Sequence, residues 1–376
     1  MKITIVAGAR PNFMKIAPLI KAIEYYKEIG ENLSFRLVHT GQHYDKIMSI
    51  SFFEQLGIPN PDINLECGGG TQAEQTAMIM VKFEKELINF KPDVVIVVGD
   101  VTSTMACTIT AKKLCIKVAH VEAGIRSGDI EMPEEINRIV TDAICDYYFT
   151  TTTSASEMLR RNQIPISKIH FVGNTMIDTL FNNINNLKKP LFIELNQIKP
   201  KSFFLLTLHR PSNVDDVEKL KSILDAIMDA TNNTIVIFPV HPRTKSILSL
   251  IEKKYENLIT ITAQPYLEFL YLIKNTKAII TDSGGITEEA TVLNIPCLTM
   301  RNSTERPETI TMGTNELIGD NIKLLKNYIT KIIEGKWKKG SIPPLWDGKT
   351  SDRIISILLN EYKTKSSQLH KVLQHE

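Results

Sequence analysis

Several acidic side chains follow apolar runs of the sequence, at positions where they could transfer protons. Asp100 comes directly after DVVIVVG, Glu122 lies near the end of KVAHVEA, and Glu134 lies in MPEEINR. Carboxylates that meet in one cleft push each other's pKa values apart, so that one can act as an acid while another acts as a base. We therefore regard these three residues as candidates for general acid–base chemistry.

Each carboxylate also has a purely structural interpretation. Asp100 could cap a helix that starts at Thr102, and Glu134 could place negative charge at a helix N-terminus after Pro133. From composition alone the structural interpretation is favoured for Glu134 and stays open for Asp100. Glu122 differs, because a carboxylate at the end of an apolar strand is costly to bury unless it has a purpose.

Histidines and cations suggest an anionic ligand. His209 in LHRPSNVDD and His241 in PVHPR each end an apolar run and each stand beside an arginine. Histidine suits proton transfer or phosphate binding at neutral pH, although a lone histidine is more often structural. Arg10 and Lys15 in GARPNFMK flank another turn from strand to helix, where two cations suggest a diphosphate or another anion. Solvated surface charge is the alternative, and it is less attractive for Arg10, which directly follows a buried strand.

The segment DSGGITEEA predicts a phosphate cradle. Ser283, Gly284 and Gly285 precede a helical pattern, and backbone N–H groups at a helix start bind anions when no Cβ stands in the way. Glu288 and Glu289 could accept hydrogen bonds from ribose hydroxyls. A tight turn with acidic residues that favour the helix dipole explains the same letters equally well.

Composition excludes several classes of protein. Lys and Arg number 44 and Asp and Glu 42, a formal net charge of +2, so a nucleic-acid partner is not expected. No apolar run could span a membrane and no signal peptide is seen, which predicts a cytoplasmic protein. The five cysteines form no CxxC pair and are expected to be buried reduced thiols, without a metal. The fingerprints GxGxxG and GxxxxGK[ST] are both absent.

Strand-like runs alternate with helical patterns along nearly the whole chain, which predicts an α/β fold with parallel sheets. The predicted strands are 2–8, 34–40, 93–99, 117–123, the end of 133–151, 203–210, 234–242, 257–263, 277–285 and 294–300. They form two sets of similar size that meet near Gly173. Ligands of such folds lie beyond the carboxyl ends of the strands, where the candidate residues stand.

Ten segments, in order from about residue 3 to about residue 320, resemble the non-hydrolysing UDP-N-acetylglucosamine 2-epimerases. They are GARPNFMKIAPLI, TGQHYD, GDVTST, HVEAGIRS, MPEEINRIVTD, GNTMIDTL, LHRPSNVD, PVHPRT, TDSGGITEEA and RNSTERPET. Each segment alone is a weak signal, whereas ten in register are highly specific.

The resemblance implies a GT-B architecture, in which two Rossmann-like domains with parallel sheets face each other across a cleft. Residues 1–172 would form the N-terminal domain and residues 173–350 the UDP-binding C-terminal domain. The C-terminal helix, about 351–376, would cross back to the N-terminal domain. The family also implies a homodimer.

The family interconverts UDP-GlcNAc and UDP-ManNAc without a cofactor, and so feeds cell-surface polysaccharide synthesis. A base removes the proton at sugar carbon 2, UDP leaves 2-acetamidoglucal behind, and UDP adds back after reprotonation on the opposite face. The family's catalytic positions fall on Asp100, Glu122, Glu134 and His209. Asp100 and Glu122 would be the base and the acid, in an order left open. Glu134 would be a third proton-transfer group, and His209 would hold the diphosphate or support departure of the leaving group.

The resemblance also implies a set of substrate-binding residues. They are Arg10, Lys15, Arg138, His241, Phe269, Ser283, Gly284, Gly285, Glu289 and Arg306. Among them Glu289 would take the ribose hydroxyls, Phe269 would lie near the uracil, and Arg306 would face the nucleotide sugar. Some members are activated by a second UDP-GlcNAc, whose contacts match Gln42 and His43, although CGGGT offers no side chain at the other matching stretch.

Departures from the family pattern leave the sugar open. Thr287 replaces the usual glutamine of SGG[IV]QEE. GARPNF, FFEQLGIPNPD and LHRPSNVDD lean towards relatives that act on UDP-2,3-diacetamido uronic acids, whereas TERPET leans towards the UDP-GlcNAc enzymes. A UDP-GlcNAc 2-epimerase is the leading hypothesis and a 2-epimerase of such a uronic acid the first alternative. A UDP-sugar glycosyltransferase and a non-catalytic UDP-sugar binding protein are further alternatives, because a fold does not fix a function. Neither of these two needs Asp100, Glu122 and Glu134 together.

Overall fold

A computed structural model describes residues 1–41, 52–240 and 242–373 of the chain. The chain divides into two compact units. Unit 1 comprises Met1–Asn182 and Pro344–Glu376, and unit 2 comprises Asn183–Pro343. The division falls at the end of the helix Thr175–Asn183, later than the junction expected near Gly173.

Unit 1 is built on a sheet of seven parallel strands in the order β3-β2-β1-β4-β5-β6-β7. The strands are β1 Lys2–Ala7, β2 Ser34–His39, β3 Ile63–Asn64, β4 Val94–Val98, β5 Lys117–Val121, β6 Tyr147–Thr150 and β7 Ile169–Phe171. The α-helices are α1 Arg10–Glu28, α2 Gln72–Phe90, α3 Thr102–Lys113, α4 Pro133–Ile144, α5 Thr153–Arg161, α6 Thr175–Asn183 and, from the end of the chain, α15 Thr350–Leu373. Every residue of β4 is buried, as a central parallel strand covered on both faces requires.

The end of the chain belongs to unit 1. Asp178 on α6 accepts hydrogen bonds from the first backbone N–H groups of α15, at 3.1 Å from Thr350 and 2.6 Å from Ser351. Trp346 is 1% exposed, and its indole N–H donates to the Thr151 carbonyl at 3.1 Å. Gly173 has a φ of +103°, and a Cβ there would lie 2.1 Å from the Leu345 carbonyl oxygen. The returning segment therefore passes too close for any residue but glycine.

Unit 2 has a sheet of six parallel strands in the order β10-β9-β8-β11-β12-β13. The strands are β8 Phe203–Thr207, β9 Ile235–Val240, β10 Leu258–Thr262, β11 Ala278–Thr281, β12 Cys297–Thr299 and β13 Asn315–Leu317. The helices are α7 Leu191–Leu195, α8 Pro211–Val214, α9 Val217–Thr231, α10 Pro242–Leu248, α11 Tyr266–Asn275, α12 Gly284–Val292, α13 Glu308–Thr311 and α14 Ile322–Ile333. Two buried apolar clusters pack against this sheet.

The structure corrects the predicted elements in three places. The strand expected over 277–285 ends at Thr281, because α12 already begins at Gly284. The strands β3, β7 and β13 were not predicted, since two or three residues are too few to show a periodicity. The five cysteines are free, but Cys115 is exposed, so burial holds for four of them.

No helix in residues 1–41, 52–240 and 242–373 is both long enough and apolar enough to cross a bilayer. No three of their His, Cys, Asp or Glu side chains form a group that could hold a metal ion.

Trp346 offers a test of the docking of the C-terminal segment. We expect Trp346→Ala to lower the free energy of unfolding by about 3–5 kcal/mol, because it removes the largest fully buried side chain and a buried hydrogen bond. Trp337→Ala is the matched control, since Trp337 is only half-buried and also donates one bond to a carbonyl. Urea denaturation measures both variants, and an equal or smaller loss for Trp346→Ala would contradict this docking.

Candidate active site

The first turn of unit 1 is held in place by Asn12. Its side-chain oxygen accepts hydrogen bonds from the N–H groups of Gly8 and Ala9, each at 3.0 Å, and its amide donates to the Val98 carbonyl at 3.1 Å. This side chain therefore ties the end of β1 to the end of β4. The backbone passes so close that a Cβ at Gly8 would lie 2.1 Å from Ser103 Oγ.

Lys15 and Glu122 form a buried ion pair at the carboxyl ends of the strands. Lys15 Nζ lies 2.7 Å from Glu122 Oε2, and their side chains are 12% and 3% exposed. Glu122 has a φ of +74°, which is uncommon for a residue other than glycine. A Cβ at Gly99 would lie 2.9 Å from Lys15 Nζ, so glycine leaves the room that the pair occupies.

Asp100 is the second paired carboxylate of this edge. Its side chain, 30% exposed, binds the guanidinium of Arg138, and its backbone carbonyl accepts a hydrogen bond from Asn137 at 2.8 Å. The residue that caps α3 is Val101, so Asp100 does not serve as the N-cap. Arg138 and Asn137 both lie on α4, which therefore fixes the position of Asp100.

The pair Glu134 and Glu135 divides into two environments at the start of α4. Glu134 is half-buried, whereas Glu135 is 3% exposed and binds Arg138 Nη1 at 2.8 Å. Glu135 also accepts hydrogen bonds from the N–H and the hydroxyl of Ser127, at 2.9 and 3.0 Å. Burial raises the pKa of Glu135, but these hydrogen bonds and the charge of Arg138 outweigh it and lower the pKa. Glu135 thus anchors Arg138, and Glu134 is the more accessible carboxylate of the two.

His209 and Asp282 form the corresponding pair in unit 2. His209 Nδ1 lies 2.9 Å from Asp282 Oδ1, the imidazole is 57% exposed, and the carboxylate is fully buried. Asp282 also accepts hydrogen bonds from the Arg210 N–H at 2.9 Å and the Asn213 amide at 3.1 Å. Burial raises the pKa of Asp282, but the hydrogen bond and charge of His209 and the Arg210 N–H outweigh it and lower the pKa. The carboxylate orients the imidazole so that Nε2 faces outward.

The helix α12 starts at the predicted phosphate cradle. Ser283 is its N-cap residue and makes no side-chain capping bond, so backbone N–H groups at this helix start stay available to an anion. A Cβ at Gly284 would lie 3.6 Å from an Arg301 nitrogen. Arg301 in turn is held by both oxygens of Glu305, at 2.9 and 2.6 Å. A cation therefore stands beside the predicted cradle, although no motif pointed to Arg301.

Glu288 and Glu289 lie deeper than expected. Both belong to the second turn of α12 and are at most 2% exposed. Glu288 pairs with Arg306, and Glu289 Oε1 accepts a hydrogen bond from the buried Tyr266 hydroxyl at 3.0 Å. Burial, and secondarily the charge of Glu288, raise the pKa of Glu289 to about 8, although the Tyr266 hydrogen bond lowers it. Half-buried Phe269 lies one turn after Tyr266 on α11.

The predicted residues thus gather at two strand edges. Unit 1 brings together Lys15, Asp100, Glu122, Glu134 and Arg138, and unit 2 brings together His209, Phe269, Ser283, Gly284, Gly285, Glu289 and Arg306. Gln42, His43 and His241 lie outside the described residues, as does the side chain of Arg10. The contacts that Glu135, Asp282, Arg301 and Tyr266 make with other side chains were not predicted, since each partner is distant in the sequence or hidden in a motif. An aspartate at the end of the apolar run KAIIT was the one available signal, for Asp282.

The raised pKa of Glu289 leads us to expect that the free energy of unfolding depends on pH. Between pH 4.5 and about 8 the unfolded chain loses this proton while the folded chain keeps it, so the free energy of unfolding falls as pH rises. Glu289→Gln removes the titration, and we expect its stability relative to the wild-type protein to increase across that interval. Urea denaturation at several pH values measures the difference. Tyr266→Phe is the control, because it keeps the buried carboxyl and should keep the fall; parallel curves for Glu289→Gln and the wild-type protein would contradict the assignment.

Comparison with known proteins agrees with this geometry. A sequence profile of the UDP-N-acetylglucosamine 2-epimerase family matches residues 27–359. The UDP-N-acetylglucosamine 2-epimerase of Methanocaldococcus jannaschii is 42% identical over 370 residues, which cover 95% of this chain and 99% of the relative. The UDP-2,3-diacetamido-2,3-dideoxy-D-glucuronate 2-epimerase of Pseudomonas aeruginosa is 39% identical over 322 residues, which cover 85% of this chain and 88% of the relative.

Solved structures show the same relationship. The crystal structure of UDP-GlcNAc 2-epimerase from Neisseria meningitidis, bound to UDP-GlcNAc, matches with a TM-score of 0.86 at 30% identity and covers 96% of this chain and 100% of that one. The Methanocaldococcus jannaschii enzyme in complex with UDP-GlcNAc and UDP matches with a TM-score of 0.81 and covers 95% and 99%. The predicted α/β fold with two parallel sheets of GT-B type is thereby confirmed. The chain belongs to the UDP-N-acetylglucosamine 2-epimerase family, a family of isomerases.

Proposed function

We propose that this isomerase interconverts UDP-GlcNAc and UDP-ManNAc, with Asp100 and Glu122 transferring the proton at sugar carbon 2. The observation that carries the proposal is the placement of these two carboxylates. They follow the paired strands β4 and β5, and each is bound to its own cation. A 2-epimerase needs one group that takes the proton and another that returns it from the opposite face.

The chemistry explains why both carboxylates are needed. The proton at carbon 2 is very weakly acidic, so its removal must be coupled to breaking the bond between sugar carbon 1 and the UDP oxygen. The products are 2-acetamidoglucal and UDP. A proton is then delivered to carbon 2 from the other face while UDP adds back to carbon 1. By microscopic reversibility, the base for one epimer is the acid that forms it in the reverse direction.

The residues of unit 2 suit the leaving group. Asp282 holds Nδ1 of His209, which leaves Nε2 to hydrogen-bond the diphosphate as negative charge develops on it. Ser283, Gly284 and Gly285 would hold the diphosphate at the start of α12. Arg10 and His241, whose side chains are not among those that the structure describes, would hold it as well.

The remaining contacts would fix the nucleoside and the sugar. Glu289 would accept hydrogen bonds from the ribose hydroxyls, Phe269 would lie near the uracil, and Arg306 would face the nucleotide sugar. Lys15 acts in this proposal through its ion pair with Glu122, and Arg138 through its contact with Asp100. Glu134 is the third proton-transfer group, and Gln42 with His43 would form a second UDP-GlcNAc site.

The choice of sugar follows the relatives. The archaeal relative named for UDP-N-acetylglucosamine matches more of this chain than the Pseudomonas relative named for a UDP-diacetamido glucuronate, which is nearly as similar in sequence. UDP-GlcNAc is therefore the proposed substrate, and the diacetamido uronic acid is the second candidate.

We further propose that two copies of the chain form a homodimer through one apolar face of unit 1. The helices α2, α3 and α4 pack side by side, and their outer surface exposes large aliphatic side chains. These include Val81, Ile136 and Ile139, which are 57%, 46% and 42% exposed. A second copy presents the same face and could cover it symmetrically.

Isotope exchange tests the proposed reaction. Incubation with UDP-GlcNAc in deuterated water should place deuterium at carbon 2 as UDP-ManNAc appears, which NMR detects. We expect Asp100→Asn and Glu122→Gln each to lower turnover by roughly 10²–10⁴-fold, the usual contribution of general acid–base catalysis, with UDP binding kept. Asp93→Asn, an exposed aspartate before the same strand β4, is the control and should turn over normally.

Four outcomes would count against the proposal. Near-normal turnover in both variants would exclude the two carboxylates. Sugar transfer only in the presence of an acceptor, without deuterium, would indicate a glycosyltransferase, and tight UDP binding without turnover a sensor. Exchange in the diacetamido uronic acid alone would move the substrate to the second candidate.

The homodimer has a separate test. We expect Ile136→Glu to halve the molar mass measured by light scattering, because a buried carboxylate in an apolar interface would be desolvated. Ile166→Glu, at a 66% exposed isoleucine outside these helices, should leave the mass unchanged. A monomeric wild-type protein, or an Ile136→Glu variant of unchanged mass, would contradict the interface.

A further inference from the structure

A buried chain of polar groups connects the two turns that carry Asp100 and Glu122. His120 Nε2 lies 2.9 Å from the carbonyl oxygen of Gly99, the residue before Asp100. His120 Nδ1 lies 2.7 Å from Asp142 Oδ1. Asp142 Oδ2 in turn accepts hydrogen bonds from the Gly124 N–H at 3.0 Å and from Arg126 Nη1 at 2.6 Å.

This series of hydrogen-bonded polar groups is enclosed by protein. His120 is fully buried on β5, and Asp142 on α4 is 3% exposed. The turn after β5 is also held from its other side, where the N–H groups of Glu122 and Ala123 donate to the Phe149 carbonyl at 3.0 and 3.1 Å. A Cβ at Gly124 would lie 2.3 Å from the Ala155 carbonyl oxygen. The turn therefore has little room to shift.

The hydrogen bonds define the protonation state of the imidazole. A carbonyl oxygen can only accept, so Nε2 must carry a proton towards Gly99. Asp142 already accepts from a backbone N–H and from a guanidinium, as an ionised carboxylate does, so Nδ1 must also carry a proton. A neutral imidazole has only one N–H and would leave one nitrogen lone pair facing an acceptor. Both contacts are satisfied only by an imidazolium ion.

We propose that His120 is a positioning residue that donates from both ring nitrogens and sets the distance between Asp100 and Glu122 by clamping the Gly99 carbonyl to Asp142 on α4. The role rests on the proposed function of those two carboxylates. An acid and a base that act on opposite faces of one carbon must be held within a fraction of an ångström of their places, since a shift of 1 Å can cost about 10²-fold in rate. A charged clamp is stronger than a neutral one because both bonds are charge-assisted.

The surrounding charges favour this state. Burial raises the pKa of Asp142, but the charge and hydrogen bond of His120 and the charge of Arg126 outweigh it and lower the pKa. The Cys145 thiol faces the same carboxylate from α4, and burial followed by the charge of Asp142 raises its pKa, so it stays neutral. The buried group thus contains one carboxylate, one guanidinium and one imidazolium.

Asp142→Asn tests the positioning role against a matched control. Asp146, which follows the same helix α4, also accepts a backbone N–H, from Val118 at 3.0 Å, and binds two cations, Lys112 and Lys117. It directly precedes β6 and contacts the start of β5, at the amino ends of the strands. Asp146→Asn should therefore lower stability in a similar way without affecting the turns that carry the catalytic groups.

We expect Asp142→Asn to lower kcat for epimerisation by roughly 10²-fold, with the KM for UDP-GlcNAc little changed, because most of the proposed UDP contacts lie in unit 2. Asp146→Asn should keep both constants. Equal kcat values in the two variants would overturn the positioning role. Losses in kcat that only parallel the fall in each variant's unfolding midpoint would overturn it as well.

Nitrogen NMR of the full-length protein, labelled with ¹⁵N-histidine, tests the charge directly. The chain has eight histidines, and His120→Gln identifies the signals of residue 120. Both ring nitrogens of His120 should carry protons at neutral pH in the wild-type protein, and only one in Asp142→Asn. A singly protonated ring in an active enzyme would overturn this inference alone. Absence of carbon 2 exchange in the wild-type protein would instead overturn the proposed function together with the role that rests on it.

Discussion

The parallel pairing of β4 with β5 is the constraint on which the candidate site depends. Val98 and Val121 are partners in this register, so the residues that follow them leave the sheet side by side. A Cβ at Gly99 would lie 2.9 Å from the Nζ of Lys15, which reaches through this space to Glu122. Asp100 and Glu122 are thus neighbours by the geometry of the sheet, and each meets its cation from a helix, α1 or α4. The helices around the sheet mainly serve to supply and fix these partners.

Parallel strand pairing also positions the candidate residues of unit 2, for a different chemistry. The strands β8 and β11 are paired, so His209 and Asp282 emerge beside each other after their last residues. The start of α12 follows Asp282 at once, which places an anion-binding helix end next to an oriented imidazole. In the proposed function, one sheet carries out proton transfer and the other binds the leaving diphosphate, each at the carboxyl ends of its strands.

Most strands and the motif residues could be predicted from the sequence, but the side chains that bind those residues could not. Long apolar runs such as that of β4 identify themselves, whereas β3, β7 and β13 are too short to show a pattern. The residues in motifs, including Asp100, Glu122 and Ser283, lie at the edges where they were expected. Lys15 differs, because its motif predicts a phosphate contact while the structure shows an ion pair with a residue far along the chain. Partners such as Tyr266 and Asp142 depend on tertiary contacts that no local spacing encodes.

The central claim is that two carboxylates act on opposite faces of one carbon. Exchange at carbon 2 in deuterated water, followed separately from UDP-GlcNAc and from UDP-ManNAc, tests it most directly in the variants Asp100→Asn and Glu122→Gln. The proposed mechanism predicts a reciprocal pattern. One variant should lose exchange from one epimer and retain it from the other, and the second variant should show the reverse. Loss of exchange from the same epimer in both variants would contradict it.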